Sequence, residues 1–309
     1  MRILYYNAGE DPSLWLPKLA KALPEAEIRL WQPGDKGSAD YALVWNAPAE
    51  LFENRTGLKA VFNLAAGVDS LLASSHVIPA GIPIFRLEDA GMAIQMAEYT
   101  VHAVLRYFRR FDEYEKQAQQ RLWRALDPYK RQDFTIGIMG MGVMGTAIAK
   151  TLAPFGFPMK GWSRHKKITP DVTGFFGNDQ LESFLKDVRI LVCVLPLTTE
   201  TAGILNRNHF RHLQQGAYLI NLGRGAHLVE KDLLAALDTG QIKAATLDVT
   251  ACEPLPADHP FWGRDNITLT PHIGGLTFCE ETVEQVTGYI RAFEKGQTLT
   301  SRVDREQGY

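Results

Sequence analysis

Apolar runs in the first part of the chain are short and are separated by Pro, Gly and Asp. This pattern predicts strands joined by tight turns, with one helical pattern among them. The predicted strands cover 2–6, 27–30, 41–44 and 60–63, and the predicted helix covers 14–23. Residues 1 to about 97 are therefore expected to form a first α/β domain.

The later part of the chain alternates strand-like and helical patterns, which favours a doubly wound parallel sheet. Between the two parts, residues 91–120 contain no proline and repeat apolar residues every three or four positions, so one long helix is expected. A last amphipathic helix, about 278–295, is expected to return to the first domain. The predicted strands are 134–139, 159–162, 190–195, 218–222, 244–247 and 267–270, and helices are expected at about 143–152, 180–187, 206–213 and 230–239.

A glycine fingerprint follows the apolar run 134–139. Residues 140–145 read GMGVMG and match G-x-G-x-x-G, and the helical pattern behind them stops before Pro154. Such glycines let the backbone approach phosphates, and the free N–H groups of the helix N-terminus favour negative charge. A nucleotide site is predicted here, with a structural turn as the alternative. The candidate contacts are Gly140, Met141, Gly142, Val143, Met144 and Gly145.

The next strand ends without the acidic residue that would bind the ribose 2′-hydroxyl of NAD. Residues 160–167 read KGWSRHKK. Ser163 is able to donate a hydrogen bond to a 2′-phosphate, while Arg164 and Lys166 or Lys167 supply positive charge. We therefore expect NADPH to be preferred over NADH, the alternative being a solvated basic turn.

Polar residues stand at the ends of later predicted strands. Arg224 follows the strand 218–222, Asp248 and Glu253 follow 244–247, and His272 follows 267–270. Because ligands bind at the carboxyl ends of strands in open α/β sheets, Arg, Glu and His are expected at one crevice. Each residue taken singly has a structural alternative, as a loop charge, a surface turn or a structural histidine.

Composition narrows the classes of function. Lys and Arg total 33 against 35 Asp and Glu, which gives no electrostatic reason to expect nucleic acid or an anionic membrane as partner. No segment has the roughly 18 apolar residues of a transmembrane helix, and no signal core is present, so a cytoplasmic location is expected. Cys193, Cys252 and Cys279 are widely spaced, which predicts reduced thiols and no metal site.

Three blocks, NLGRG at 221–225, LDVTACEP at 247–254 and TPHIGG at 270–275, resemble the signature blocks of the D-isomer-specific 2-hydroxyacid dehydrogenases. Segments 41–48, 60–70, 85–92 and 303–309 resemble the branch of that family that reduces glyoxylate and hydroxypyruvate. The resemblance runs from end to end. It implies a homodimer of chains with two Rossmann-like domains, in which a cofactor domain, 98–279, is inserted in a discontinuous substrate domain, 1–97 plus 280–309.

The resemblance also implies roles for the residues at the strand ends. Arg224 matches the arginine that binds the substrate carboxylate and polarises the keto oxygen, a task suited to guanidinium. His272 matches the histidine that donates a proton to that oxygen, and Glu253 the carboxylate that orients the imidazole and favours its charged form.

Further positions match the family's binding residues. The backbone N–H groups of Gly67 and Val68 match a turn that binds the substrate carboxylate, and Trp45 is a candidate for the pocket wall, with core packing as the alternative. Gly274 and Gly275 depart from the branch's usual residues and are expected to leave room beside the nicotinamide. The positions expected to line the cofactor are Leu195, Pro196, Leu222, Asp248 and Gly274.

The expected function is NADPH-dependent reduction of small 2-keto acids, glyoxylate to glycolate and hydroxypyruvate to glycerate. Alternatives are a family member with another keto acid and a nucleotide-sensing module without catalysis. Phosphoglycerate dehydrogenase relatives are disfavoured by the missing NAD-selecting acid and by the length of the chain, which leaves no room for their regulatory domain. Formate dehydrogenase relatives are disfavoured by Glu253.

Overall fold

The computed structural model describes residues 1–53 and 55–309, and the chain divides into two compact units. The first unit contains Met1–Gly91 and Thr277–Tyr309, and the second contains Met92–Leu276. Each unit has a sheet in which all paired strands run parallel, with helices packed on it. The α/β class predicted from the sequence is confirmed.

The first unit has a five-stranded parallel sheet. Successive side chains of a strand point to opposite faces. Ile3 and Tyr5 therefore pack with the helices on one face, while Leu4 packs in the cluster on the other. The strands are β1 (Arg2–Asn7), β2 (Glu27–Leu30), β3 (Tyr41–Trp45), β4 (Ala60–Asn63) and β5 (Ile84–Arg86); the helices are α1 (Pro12–Ala22), α2 (Asp69–Ala73) and the C-terminal helix Cys279–Glu294. The strand order in the sheet is β2-β1-β3-β4-β5, where the numbers follow the chain.

The second unit has helices α3 (Met92–Phe108), α4 (Phe111–Gln119), α5 (Val143–Leu152), α6 (Leu181–Leu185), α7 (Arg207–Phe210) and α8 (Glu230–Asp238). Its strands are β6 (Ile136–Met139), β7 (Met159–Ser163), β8 (Thr173–Phe176), β9 (Ile190–Cys193), β10 (Ala217–Asn221), β11 (Ile242–Leu247) and β12 (Ile267–Leu269). Short 3-10 turns lie at Ala49–Leu51, Ser75–Val77, Arg131–Asp133, Ala153–Phe155, Asn178–Gln180, Gly225–His227 and Pro260–Gly263.

The strand order of the second unit places the site. It runs β12-β11-β10-β9-β6-β7-β8, so the chain winds from β6 towards β8 and then crosses back to β9 and winds the other way. The reversal lies between β6 and β9, and ligands of open α/β sheets bind at such a switch point, outside the carboxyl ends of the strands. The loops after β6, β7, β9, β10, β11 and β12 all leave from that edge.

The prediction of one long helix over 91–120 is wrong. Helix α3 ends at Phe108, and Arg110 adopts a left-handed conformation (φ 60°, ψ 30°) before α4 begins at Phe111. The guanidinium of Arg110 donates to both carboxylate oxygens of Glu113, at 2.8 and 2.9 Å, and to the carbonyl oxygen of Asp127 at 2.8 Å. These side-chain hydrogen bonds stabilise the interruption between the two helices, at a point where the sequence has no proline or glycine.

Strands β5 and β8 were not predicted. Strand β5 is too short for an alternating pattern to be detected, and β8 is an edge strand whose first two residues, Thr173 and Gly174, are exposed. In the described part of the chain, no helix is both long and apolar enough to cross a membrane.

Candidate active site

The glycine loop 140–145 connects β6 to α5 and has the backbone shape that a bound pyrophosphate requires. Gly140 has a φ of 103°, which residues with a side chain rarely adopt, and a Cβ there would lie 2.8 Å from the carbonyl oxygen of Val194. A Cβ on Gly145 would lie 1.9 Å from the carbonyl oxygen of Gly140. Only glycine therefore lets α5 start so close to β6.

The other side of the loop is open. A Cβ on Gly142 would meet no atom of the described residues within 4 Å, and no side chain there caps the N-terminus of α5. Free N–H groups and the helix dipole make this concavity suitable for a phosphate. Met141 buries its side chain in the core, which leaves its backbone for a ligand, while Val143 is exposed and Met144 half-buried. The loop fits the pyrophosphate of a dinucleotide.

The turn after β7 carries the basic residues predicted from the sequence. Ser163 donates its hydroxyl to the carbonyl oxygen of His165 at 2.8 Å, and Lys166 is exposed. Arg164 forms an ion pair with Glu200, with 2.6 Å between Nη2 and Oε2. Sequence reasoning missed Glu200, because it lies 36 residues away on the loop after β9. Residues 160–167, which end β7 and begin the turn, contain no Asp or Glu.

The loops after β9 and β10 place apolar residues at the same sheet edge. Leu195 and Leu222 are buried, with 7% and 5% exposure, whereas Pro196 is exposed. The carbonyl oxygen of Pro196 accepts a hydrogen bond from the hydroxyl of Thr201 at 2.7 Å, which holds the loop after β9. The family resemblance implies that these three residues line the cofactor, and that role remains a prediction.

Arg224 lies just beyond the end of β10, with its backbone held on both sides. Its N–H donates to Nδ1 of His227 at 3.0 Å, and its carbonyl oxygen accepts from Nδ2 of Asn221 at 3.1 Å. Both partners are fully buried. Sequence reasoning missed them, although Asn221 at the end of an apolar strand and His227 near the candidate arginine were visible signals. A Cβ on Gly225 would lie 1.9 Å from the carbonyl oxygen of Thr250, so this loop packs against the loop after β11.

Asp248 organises the loop that carries His272. Its Oδ1 accepts from the hydroxyl of Thr270 at 2.7 Å and from the N–H of Ile273 at 2.8 Å, and its Oδ2 accepts from the N–H of Gly274 at 2.8 Å. The backbone N–H of His272 donates to the carbonyl oxygen of Asp248 at 2.8 Å. His272 has a φ of 56°, an uncommon conformation that these bonds stabilise.

A tyrosine extends this network. The hydroxyl oxygens of Tyr99 and Thr270 are 2.6 Å apart. Because the Thr270 hydroxyl donates its proton to the carboxylate of Asp248, it must accept from Tyr99. Burial raises the pKa of Tyr99 to about 12, which keeps the phenol protonated and able to donate. The bonds therefore run in one direction, from Tyr99 through Thr270 to Asp248.

Glu253 and His272 are in side-chain contact, the pairing that the family resemblance implies for these two positions. Nδ1 of His272 lies 2.8 Å from Oε2 of Glu253, and Oε1 of Glu253 accepts from the N–H of Thr250 at 3.0 Å. Since a carboxylate only accepts, Nδ1 carries a proton and Nε2 is directed away from Glu253. The two side chains are 41% and 39% exposed. An imidazole held in this way can exchange a proton with a ligand through Nε2.

The expectation that Gly274 and Gly275 leave room beside a nicotinamide is not supported by the packing. A Cβ on Gly274 would lie 2.8 Å from Oδ2 of Asp248 and 3.2 Å from Cδ2 of Leu222. A Cβ on Gly275 would lie 2.8 Å from Cγ of Met96. These glycines allow close packing of the His272 loop on its own unit.

The predicted substrate-binding residues of the first unit lie at the ends of β3 and β4. The amide of Asn63 donates to the carbonyl oxygens of Ala65 and Gly67, both at 2.8 Å, which shapes the turn before Val68. Val68 is buried in the core, and Trp45 is half-buried and packs against the cluster that contains α1. The assignment of Trp45, Gly67 and Val68 to a substrate remains a prediction.

Comparison with known proteins gives consistent matches. Residues 101–274 match the family described as D-isomer specific 2-hydroxyacid dehydrogenase, NAD binding domain. The chain is 51% identical over 313 residues to glyoxylate/hydroxypyruvate reductase A of Serratia proteamaculans, with 100% of both chains covered.

Two solved structures resemble the whole chain. A D-isomer specific 2-hydroxyacid dehydrogenase from Xanthobacter autotrophicus, in complex with NADPH and MES, has a TM-score of 0.94 and 36% identity, covering 100% of this chain and 99% of that one. The NADPH-dependent glyoxylate/hydroxypyruvate reductase of Sinorhizobium meliloti, in complex with NADP and sulfate, has a TM-score of 0.93 and 34% identity, with the same coverage.

Proposed function

Because this chain belongs to the D-isomer-specific 2-hydroxyacid dehydrogenase family, we propose that it reduces small 2-keto acids with NADPH, glyoxylate to glycolate and hydroxypyruvate to glycerate. The observation that carries the proposal is the 2.8 Å contact between His272 and Glu253, at the carboxyl edge of a sheet that also bears a dinucleotide loop. The second unit is accordingly assigned to the cofactor and the first to the substrate.

In the proposed mechanism, Arg224 binds the carboxylate of the keto acid and polarises its keto oxygen. The fork of the guanidinium suits a planar carboxylate, and the backbone bonds to His227 and Asn221 hold its loop. His272 donates the proton on Nε2 to the keto oxygen, while Glu253 keeps the imidazole oriented through Nδ1. NADPH, when bound, supplies the hydride to the carbonyl carbon.

The basic turn supports NADPH over NADH. Arg164 offers a guanidinium to a 2′-phosphate, Lys166 adds charge, and the Ser163 hydroxyl can donate to the phosphate when it turns from the carbonyl oxygen of His165. In the ion pair of Arg164 with Glu200, the side chain of Glu200 is 61% exposed. Exposed ion pairs typically contribute about 0–1 kcal/mol to the stability of the folded protein. A doubly charged phosphate therefore competes well for Arg164.

A matrix of cofactors and substrates tests the function. NADPH and NADH are each combined with glyoxylate, hydroxypyruvate and larger 2-keto acids, and the loss of reduced-nicotinamide absorbance is followed. We expect turnover with glyoxylate or hydroxypyruvate and a higher kcat/KM with NADPH. Turnover only with a larger keto acid would point to another activity of the family. Nucleotide binding without any turnover would contradict the enzyme and favour a sensing module.

A homodimer and a cytoplasmic location complete the proposal. Phe111, Leu122 and Trp123 are exposed apolar side chains near one another in the sequence, and Trp123 lies fully accessible in a segment without regular structure, so contact with a second copy would bury them. Cys193, Cys252 and Cys279 are free thiols, which suits a reducing compartment. Light scattering after size exclusion should give twice the chain mass, and a monomeric mass would contradict the dimer.

A further inference from the structure

His227 is a buried histidine outside the predicted catalytic set. Its exposure is 0%, and both ring nitrogens contact backbone groups. Nδ1 lies 3.0 Å from the backbone nitrogen of Arg224, and Nε2 lies 3.2 Å from the carbonyl oxygen of Pro196. One imidazole thus bridges the loop after β10 and the loop after β9.

The chemistry of the two partners determines the protonation of the ring. A backbone N–H can only donate, so Nδ1 must be the acceptor and carry no proton. A carbonyl oxygen can only accept, so Nε2 must carry the proton. Protonation of Nδ1 would turn this acceptor into a donor facing the N–H of Arg224, at a ring that is fully buried. His227 is therefore held as the neutral Nε2–H tautomer.

The backbone of Gly223 lies close to the imidazole of His227. A Cβ on Gly223 would lie 2.9 Å from Nδ1 of His227, so a larger residue at this position would displace the imidazole. The neutral ring also keeps a second positive charge away from Arg224. Buried polar groups are costly when unpaired, and here removal of the ring would leave the Arg224 N–H without its acceptor.

We propose that His227 is a positioning residue, which sets the place of Arg224 relative to the loop after β9 through one fixed tautomer. This inference rests on the proposed function, because positioning Arg224 matters for the reaction only if Arg224 binds the keto acid. Through Nδ1, His227 acts on the binding of the keto acid. Through Nε2, it acts on the loop beside the cofactor.

Two substitutions separate the two bonds. In His227→Asn, the amide oxygen stands where Nδ1 stood and still accepts from Arg224, whereas the bond to Pro196 is lost. In His227→Gln, the amide nitrogen reaches the Pro196 carbonyl, but the acceptor for Arg224 is lost. The Pro196 carbonyl also accepts from Thr201 at 2.7 Å, so losing the Nε2 bond should have the smaller effect.

The expected result is an asymmetric loss. His227→Gln should lower kcat/KM for glyoxylate by about 10- to 100-fold and raise its KM, while the Kd for NADPH changes by less than about threefold. His227→Asn should lower kcat/KM for glyoxylate by less than about fivefold and raise the Kd for NADPH by less than about fivefold. His212→Gln, at a partly exposed histidine of the same unit, is the matched control for the substitution. Thermal unfolding of each variant is measured alongside.

Nitrogen-15 NMR of the histidine rings tests the tautomer without any activity. The ring signals of His227 are assigned as those missing from the spectrum of His227→Gln. They should show a protonated Nε2 and an unprotonated Nδ1 between about pH 5 and pH 9. A ring that titrates in that range, or equal kinetic losses in the two variants, would overturn the proposal. Wild-type protein that oxidises NADPH with neither keto acid would instead overturn the proposed function.

Discussion

The loops after β10, β11 and β12 and the turn after β7 leave the same sheet edge but are built differently. Asp248 is 3% exposed and accepts three hydrogen bonds from the His272 loop, and the backbone of Arg224 is held by two fully buried side chains. In the turn after β7, Lys166 is exposed, and Arg164 is paired with a carboxylate that is 61% accessible.

This difference follows from the two tasks proposed for these regions. A proton transfer depends on the position of an atom, so small displacements have large effects on rate. A phosphate is recognised through charge and through flexible donors, which tolerate exposure and movement. We therefore expect large kinetic effects from substitutions in the loops after β11 and β12, and modest binding effects in the turn after β7.

The largest effect is expected for His272→Ala. Loss of the proposed general acid should lower kcat with glyoxylate by about 10²- to 10⁴-fold, because proton transfer to the keto oxygen is removed. The Kd for NADPH should stay within about twofold, since the cofactor loops are untouched. Steady-state kinetics and fluorescence titration measure the two quantities, with His212→Ala as control. An unchanged kcat would remove His272 from the chemistry.

Asp248→Asn should give the next largest loss. The amide has one acceptor oxygen in place of two, so at least one of the N–H groups of Ile273 and Gly274 loses its partner. We expect kcat to fall by about 10- to 100-fold as the His272 loop shifts. The exposed carboxylate of Asp238 provides the control Asp238→Asn. If kcat and thermal stability both matched the wild type, the loop would not depend on Asp248.

Arg164→Ala should affect binding and not chemistry. Removal of the guanidinium should raise the Kd for NADPH by about tenfold or more, since hydrogen bonds to charged groups contribute about 1.5–3 kcal/mol. The Kd for NADH should change by less than about twofold. Kd values for both nucleotides are compared with those of Arg211→Ala, at an exposed arginine of the same unit. Equal weakening of both nucleotides would mean that Arg164 does not read the 2′-phosphate.

The smallest effect is expected for Glu200→Gln. Removing the carboxylate frees Arg164, so the affinity for NADPH should rise by about two- to threefold, as expected for an exposed ion pair. The gain should vanish when Arg164→Ala is already present, because the two residues act as a pair. Calorimetric titration of the two single variants and the double variant measures this coupling. A gain that persists in the double variant would assign Glu200 another role.

The comparison also explains what could be predicted. The strand β6, the glycine loop and the helix α5 follow one another directly in the chain, so local sequence patterns were enough to predict them. The predicted helix 143–152 has the bounds observed for α5. The break at Arg110 was missed because Glu113 and the Asp127 carbonyl hold it through side-chain bonds, without proline or glycine in the sequence. Glu200 was missed because its partner lies on another loop.

By itself, the sequence determined the alternation of strands and helices, the glycine loop, and the residue types at the strand ends. Each of these depends on neighbours in the chain, through side-chain periodicity and backbone freedom. Only the tertiary structure decided that Glu253 lies against Nδ1 of His272, that Asp248 orders the His272 loop, and that His227 is a neutral bridge. Hydrogen bonds join atoms that are close in space, and the folded sheet alone brings these loops together.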